Sequence, residues 1–63
     1  MIIFKLARVK KNLTQKQLSE LLGMSVATIN RLETGNKSIE DMRIRDLRKI
    51  CSTLSLDILE LLK

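Results

Sequence analysis

Apolar side chains recur along this chain at intervals of three and four, and small or polar residues interrupt them at short intervals. That spacing marks helices which each bury one face. In residues 2–11, IIFKLARVKK, Phe4 and Ala7 share a face with Leu6 and Val9 beside it, so the first helix is predicted to be apolar on more than one side. Its last turn is basic, which offsets the negative end of the helix dipole. Asn12 is the expected stop, because Asn tolerates the left-handed conformation that closes a helix.

Thr14 and Gln17 stand at the spacing of a capping box, and Leu13 and Leu18 at that of a hydrophobic staple, so a second helix is predicted from there to Leu22. Leu18 and Leu22 form its buried face, and the small Ser19 lets another helix come close. Gly23 is the expected corner, since a chain reversing between two helices needs a positive φ that Gly adopts cheaply. Met24 is expected to fill the space beneath it. Ser25 then caps a third helix with Ile29 and Leu32 inward and Val26, Ala27, Thr28, Asn30 and Arg31 free to face out. Thr34-Gly35-Asn36 ends it, with Gly35 left-handed.

Beyond a short basic loop, Ser38-x-x-Asp41 is a second signal of the capping-box kind. Leu47, Ile50, Cys51 and Leu54 make a clear amphipathic stripe. Ile39, Met42 and Ile44 fit that stripe poorly, so this helix is expected to begin late or to bend before Arg45. Asp57 can cap a last helix holding Ile58, Leu59, Leu61 and Leu62. So apolar a tail either covers the base of the core or forms a symmetric dimer contact.

Composition narrows the class. The 63 residues contain no Pro and two Gly, which favours an all-α chain of five short helices forming a single domain over residues 1–63. With no His and one cysteine, Cys51, neither an internal disulfide nor a Cys/His zinc site can be built, so no metal or cofactor is expected. Enzymatic function is not expected either. Glu40 and Asp41 read as helix-start residues instead of an acid–base pair, and Cys51 lies on an apolar stripe. MIIF is too short for the apolar part of a signal peptide, and no stretch approaches the ~20 apolar residues of a spanning helix. The chain is therefore expected to be cytoplasmic, with no membrane partner.

The net charge of +5 is uneven. Residues 1–31 contain Lys5, Arg8, Lys10, Lys11, Lys16 and Arg31 against Glu20 alone, whereas basic and acidic residues balance in the second half. A basic half suggests a polyanion-facing surface. The third helix suits one, because a helix in a DNA major groove presents short or forked polar side chains to base edges while its neighbours hold phosphates. Arg31 has the reach for a guanine, Asn30 for a base edge or phosphate, and Val26, Ala27 and the Thr28 methyl for thymine methyls. Thr14 and Gln15 bring backbone N–H groups and a positive dipole end towards phosphate. Lys10, Lys11, Lys16 and Lys37 add long-range attraction.

Through Leu13-Thr14-Gln15, Leu18-Ser19, Leu22-Gly23-Met24-Ser25, Thr28-Ile29, Leu32-Glu33, Gly35 and Leu54-Ser55-Leu56, the chain resembles the Cro/C1-type, XRE-like helix-turn-helix repressors. The resemblance implies a lambda-repressor-like fold with base contacts from Val26, Ala27 and Arg31. It also implies phosphate contacts from Gln15, Ser25, Thr28 and Thr34, and a partly buried ion pair between Arg8 and Glu33. It departs at Ser19, where the family usually has Ala, and over the longer segment Asn36 to Asp46, whose contacts cannot be transferred. Arg43 and Arg45 within it and Arg48 just beyond are either DNA contacts or a solvated face, and the solvated face is expected. The function implied is sequence-specific binding of double-stranded DNA by a dimeric transcriptional repressor on an inverted repeat. The alternative is an antitoxin-like module that neutralises a partner protein, such as a toxin, through Leu6, Val9 or the C-terminal leucines.

Overall fold

The structure, a computed structural model, describes residues 2–61. It contains helices α1 (Ile2–Lys10), α2 (Gln15–Leu22), α3 (Val26–Thr34), α4 (Ile44–Leu54) and α5 (Ile58–Leu61), with a 3-10 turn at Ile39–Asp41. There is no strand among the described residues. Helix α2 packs on α3 and α4, α1 packs on α3, and α5 closes against α4.

Local signals place the helix boundaries. Thr14 Oγ1 accepts from Gln17 N at 3.0 Å, and Gln17 Oε1 accepts from Thr14 N at 2.9 Å, so two donors at the start of α2 are satisfied reciprocally. Ser25 Oγ does the same work for Thr28 N at the start of α3. Gly23 and Gly35 close α2 and α3 with φ of 67° and 83°. Asn12 closes α1 at φ 57°, and Ser55 closes α4 at φ 56°. The pattern of residues had not marked Ser55 as a left-handed position.

One hydrophobic cluster draws on every helix: Phe4, Leu18, Leu22, Ile29, Leu32, Ile39, Leu47, Ile50, Cys51, Leu54 and Leu61. Leu13 and Met24 pack at its margin as half-buried residues. Ser19 is buried, and its hydroxyl turns back to donate to Lys16 O at 2.6 Å. A serine on the close-packed face therefore leaves no orphaned polar atom, at the cost of competing with the helix backbone for that carbonyl.

The lengthened segment differs from the expectation of a second capping box. Ser38 Oγ accepts from Glu40 N at 3.1 Å, two residues on, and the backbone makes a single 3-10 turn. Met42 and Arg43 are then extended before α4 begins at Ile44. This turn seats Ile39 in the core while Ile44 is left exposed, which is why those residues do not share the α4 stripe. At the tail, Asp57 Oδ1 accepts from Leu59 N at 3.0 Å. Leu61 is buried and Leu59 exposed, so one tail leucine does cover the base of the core. Leu62 lies outside the described residues.

Candidate nucleic-acid interface

Helix α3 is held down by Ile29 and Leu32, which are 0% and 1% exposed. On its other side Ala27, Asn30, Arg31 and Thr34 are all exposed and recur at intervals of three and four, forming one outward row. Val26 flanks that row, and Thr28 is half-buried. Every side chain assigned to base edges from the sequence, Val26, Ala27, Asn30 and Arg31, thus faces solvent.

The hydroxyls around the row are already part of the local hydrogen bonding. Ser25 Oγ and Thr28 Oγ1 lie 2.8 Å apart and share one hydrogen bond. One of their two protons therefore remains for an outside acceptor. The Thr34 hydroxyl donates to Asn30 O at 2.9 Å and accepts from Asn36 Nδ2 at 3.1 Å. Its proton serves the helix terminus, and reaching a phosphate would require it to rotate.

At the start of α2 the capping box takes up the N–H groups of Thr14 and Gln17. Those of Gln15 and Lys16, with no partner inside the helix, point out of its positive end. Lys10, Lys11 and Lys16 are exposed, and Lys37 is half-buried in the turn that follows α3. Arg43, Arg45 and Arg48 are exposed around the start of α4.

Behind this surface lies a buried polar cluster. Arg8 Nε donates to Glu33 Oε2 at 2.6 Å, and Arg8 Nη2 donates to Oε1 at 3.0 Å, a two-pronged pairing with side chains 11% and 3% exposed. Arg8 Nη1 also donates to Leu13 O at 2.7 Å, which ties the loop between α1 and α2 to the same guanidinium. Gln15 Nε2 donates to Glu33 Oε1 at 3.2 Å. Burial by itself would raise the Glu33 carboxyl, but hydrogen bonds from Arg8 and Gln15 and the positive charges of Arg8 and Lys5 outweigh it. The net effect holds the group below the usual carboxylate range.

The bonds from Gln15 to Glu33 and from Arg8 to the Leu13 carbonyl were not legible in the sequence. Gln15 and Glu33 are 18 residues apart, and no periodicity relates residues on different helices. Elsewhere, Cys51 is a buried free thiol, pushed up by burial and by the nearby Asp57 charge. Among the described residues, no group of His, Cys, Asp or Glu could hold a metal ion, and no helix is long and apolar enough to cross a membrane.

A family model described as helix-turn-helix matches residues 4–61, nearly the whole chain. No curated protein and no solved structure matches it.

Proposed function

This chain belongs to the Cro/C1-type, XRE-like helix-turn-helix family of DNA-binding transcription regulators, and from that premise we propose that it is a repressor that binds an inverted-repeat operator as a dimer. The observation that carries the DNA-reading face is the exposed row Ala27, Asn30, Arg31 and Thr34, on a helix whose opposite side is wholly buried. In the proposed complex α3 lies in the major groove. Arg31 donates to guanine O6 and N7, Asn30 bonds a neighbouring base edge, and Val26 and Ala27 pack on thymine methyls.

Phosphates are held by the backbone N–H groups of Gln15 and Lys16, the free proton of the Ser25–Thr28 pair, Thr34 after rotation, the Thr14 region and Lys37. Selection from a random duplex pool, followed by titration across salt concentrations, tests this reading. A recovered motif with two half-sites about one helical turn apart, and an affinity falling by nearly one power of salt per phosphate neutralised, is expected. Absence of DNA retardation at low salt would refute it.

Support for a dimer comes from α1. Ile2, Leu6 and Val9 are 70%, 61% and 52% exposed. They lie on one side of the helix, opposite Phe4 and Arg8, which face the core and α3. If two copies met through this stripe, α3 would pack on α1, α1 on its copy, and that copy on the second α3. Three packings at roughly 8–10 Å each would set the two reading helices about 24–30 Å apart when in line, somewhat short of the ~34 Å of one DNA turn. Sedimentation of Leu6→Glu is the test: a shift from dimer to monomer, with loss of preference for the paired site, is expected. A parent chain that is monomeric and fills half-sites independently would overturn the dimer and leave the stripe for a different protein, the antitoxin-like alternative.

A further inference from the structure

We infer that Gln15 is a positioning residue whose side-chain amide latches the phosphate-facing end of α2 to the Glu33 carboxylate in the last turn of α3. The backbone donors of one helix and the base-reading side chains of the other are thereby presented in one register. The inference rests on the DNA-reading proposal for its specificity readout, although the latch itself can be tested without DNA.

The geometry is a closed circuit. Helices α2 and α3 are joined covalently through the corner at Gly23, at the end of α2 and just before the start of α3. Their far ends, Gln15 and Glu33, carry no covalent tie, yet the Gln15 amide donates to Glu33 at 3.2 Å. Arg8 completes the circuit from the other side, reaching Glu33 with two nitrogens and Leu13 O, just ahead of α2, with the third. Gln15 is half-buried, while Lys16 and Gln17 beside it are exposed. Its side chain is therefore folded inward against the cluster instead of reaching into solvent.

Mechanics shows why a second tie matters. Helix α3 has nine residues, so at 1.5 Å per residue it is about 13 Å long. A pivot of about 10° at the corner would swing the far end by roughly 2 Å, enough to break hydrogen bonds that need donor–acceptor distances near 3 Å. Apolar contacts between Leu18, Leu22, Ile29 and Leu32 resist separation of the helices, but they are non-directional and tolerate small rotations. A hydrogen bond between the far ends is directional. A neutral amide also suits the place: Arg8 already balances the Glu33 charge, so an added donor orients the carboxylate without adding charge next to a buried pair.

The test compares Gln15→Met, which keeps the length and loses the amide, with Gln15→Asn, which keeps an amide too short to span to Glu33. Each variant is measured for the ratio of specific to non-specific DNA affinity, at a temperature where its circular dichroism shows it folded. The Glu33 carboxyl is titrated by carbon NMR without DNA. A fall in the ratio of roughly three- to tenfold in both variants, the range that one hydrogen bond commands, together with a raised Glu33 titration midpoint, is expected.

Equal loss of specific and non-specific affinity in Gln15→Met, restored by Gln15→Asn, would make the side chain a phosphate contact and overturn the latch. So would an unchanged ratio accompanied only by a lower melting temperature, which marks a purely structural role. Should the parent chain bind no DNA, the function proposal fails by itself. An unmoved Glu33 midpoint in both variants would then separately reject the latch.

Discussion

Replacing Glu33 by alanine removes a carboxylate that receives Arg8 through Nε and Nη2 and Gln15 through Nε2, and it leaves the guanidinium of a buried Arg8 facing a void. Both side chains of the pair are about nine-tenths buried or more, so solvent screening does little to soften the loss. Breaking such a pair from one side costs ~3–5 kcal/mol, most of it the penalty of the uncompensated charge. A chain of 63 residues has only about 3–9 kcal/mol in total at ~0.05–0.15 kcal/mol per residue. Glu33→Ala should therefore be largely unfolded or melt more than ~10 °C lower, at about 4–8 °C per kcal/mol for a chain of this size.

Circular dichroism melts of Glu33→Ala, Glu33→Gln and the double replacement Arg8→Met with Glu33→Leu supply the assay. Gln retains hydrogen bonding and should lose less. The apolar double replacement should recover most of the loss, because it leaves no buried charge. A melting temperature for Glu33→Ala equal to that of the parent would refute the reasoning. The pH dependence follows from the lowered carboxyl. A group whose folded pKa lies below its unfolded value contributes stability above the unfolded value, ~4.3 for Glu, and loses it as pH falls through the folded one. The gap between parent and Glu33→Gln should thus be flat from pH 7 to 5 and shrink in more acidic solution.

Arg31→Ala should relax base preference at one position in each half-site and cost ~1–3 kcal/mol of specific binding, checked by selection from random duplexes; an unchanged motif would remove Arg31 from the base-reading set. Thr14→Ala, which removes one arm of the capping box, should lower stability by ~1 kcal/mol in denaturant titration. Ser55→Gly should raise stability by about 0.5–1 kcal/mol, because Ser55 sits at φ 56°, where a side chain is strained. A lower melting temperature for Ser55→Gly would show that its side chain does more than terminate α4.

Short-range chemistry made much of this fold legible. A cap and the amide it satisfies are at most three residues apart, as with Thr14 and Gln17 or Ser25 and Thr28. A left-handed Gly terminates whichever helix precedes it, wherever that helix packs. The helix-facing stripes Leu18 and Leu22, Ile29 and Leu32, and Leu47 to Leu54 are also set by spacing alone, and all are buried. Even the Arg8–Glu33 proximity was available only as an implication of family resemblance, since nothing in either residue's neighbourhood names the other.

Ser38 shows where local rules run out. Its hydroxyl accepts from Glu40 N and not from Asp41 N, and the backbone makes a single 3-10 turn that places Ile39 in the core. Leu6, Val9, Ile44 and Leu59 are as apolar as the buried residues, yet more than half exposed. Whether a stripe is covered depends on how many neighbours the fold can place around it, not on the stripe.

The amino-acid order by itself determined where α1 ends, where α2 and α3 start and stop, and which faces of α2, α3 and α4 turn inward, because those choices are made by hydrogen bonds and side-chain spacings within a few residues. Only the tertiary structure decided that Gln15 and Arg8 meet on one carboxylate and that the outer side of α1 stays bare. Those outcomes join residues 18 and 25 positions apart, and such pairs are chosen by the packing of whole helices against one another.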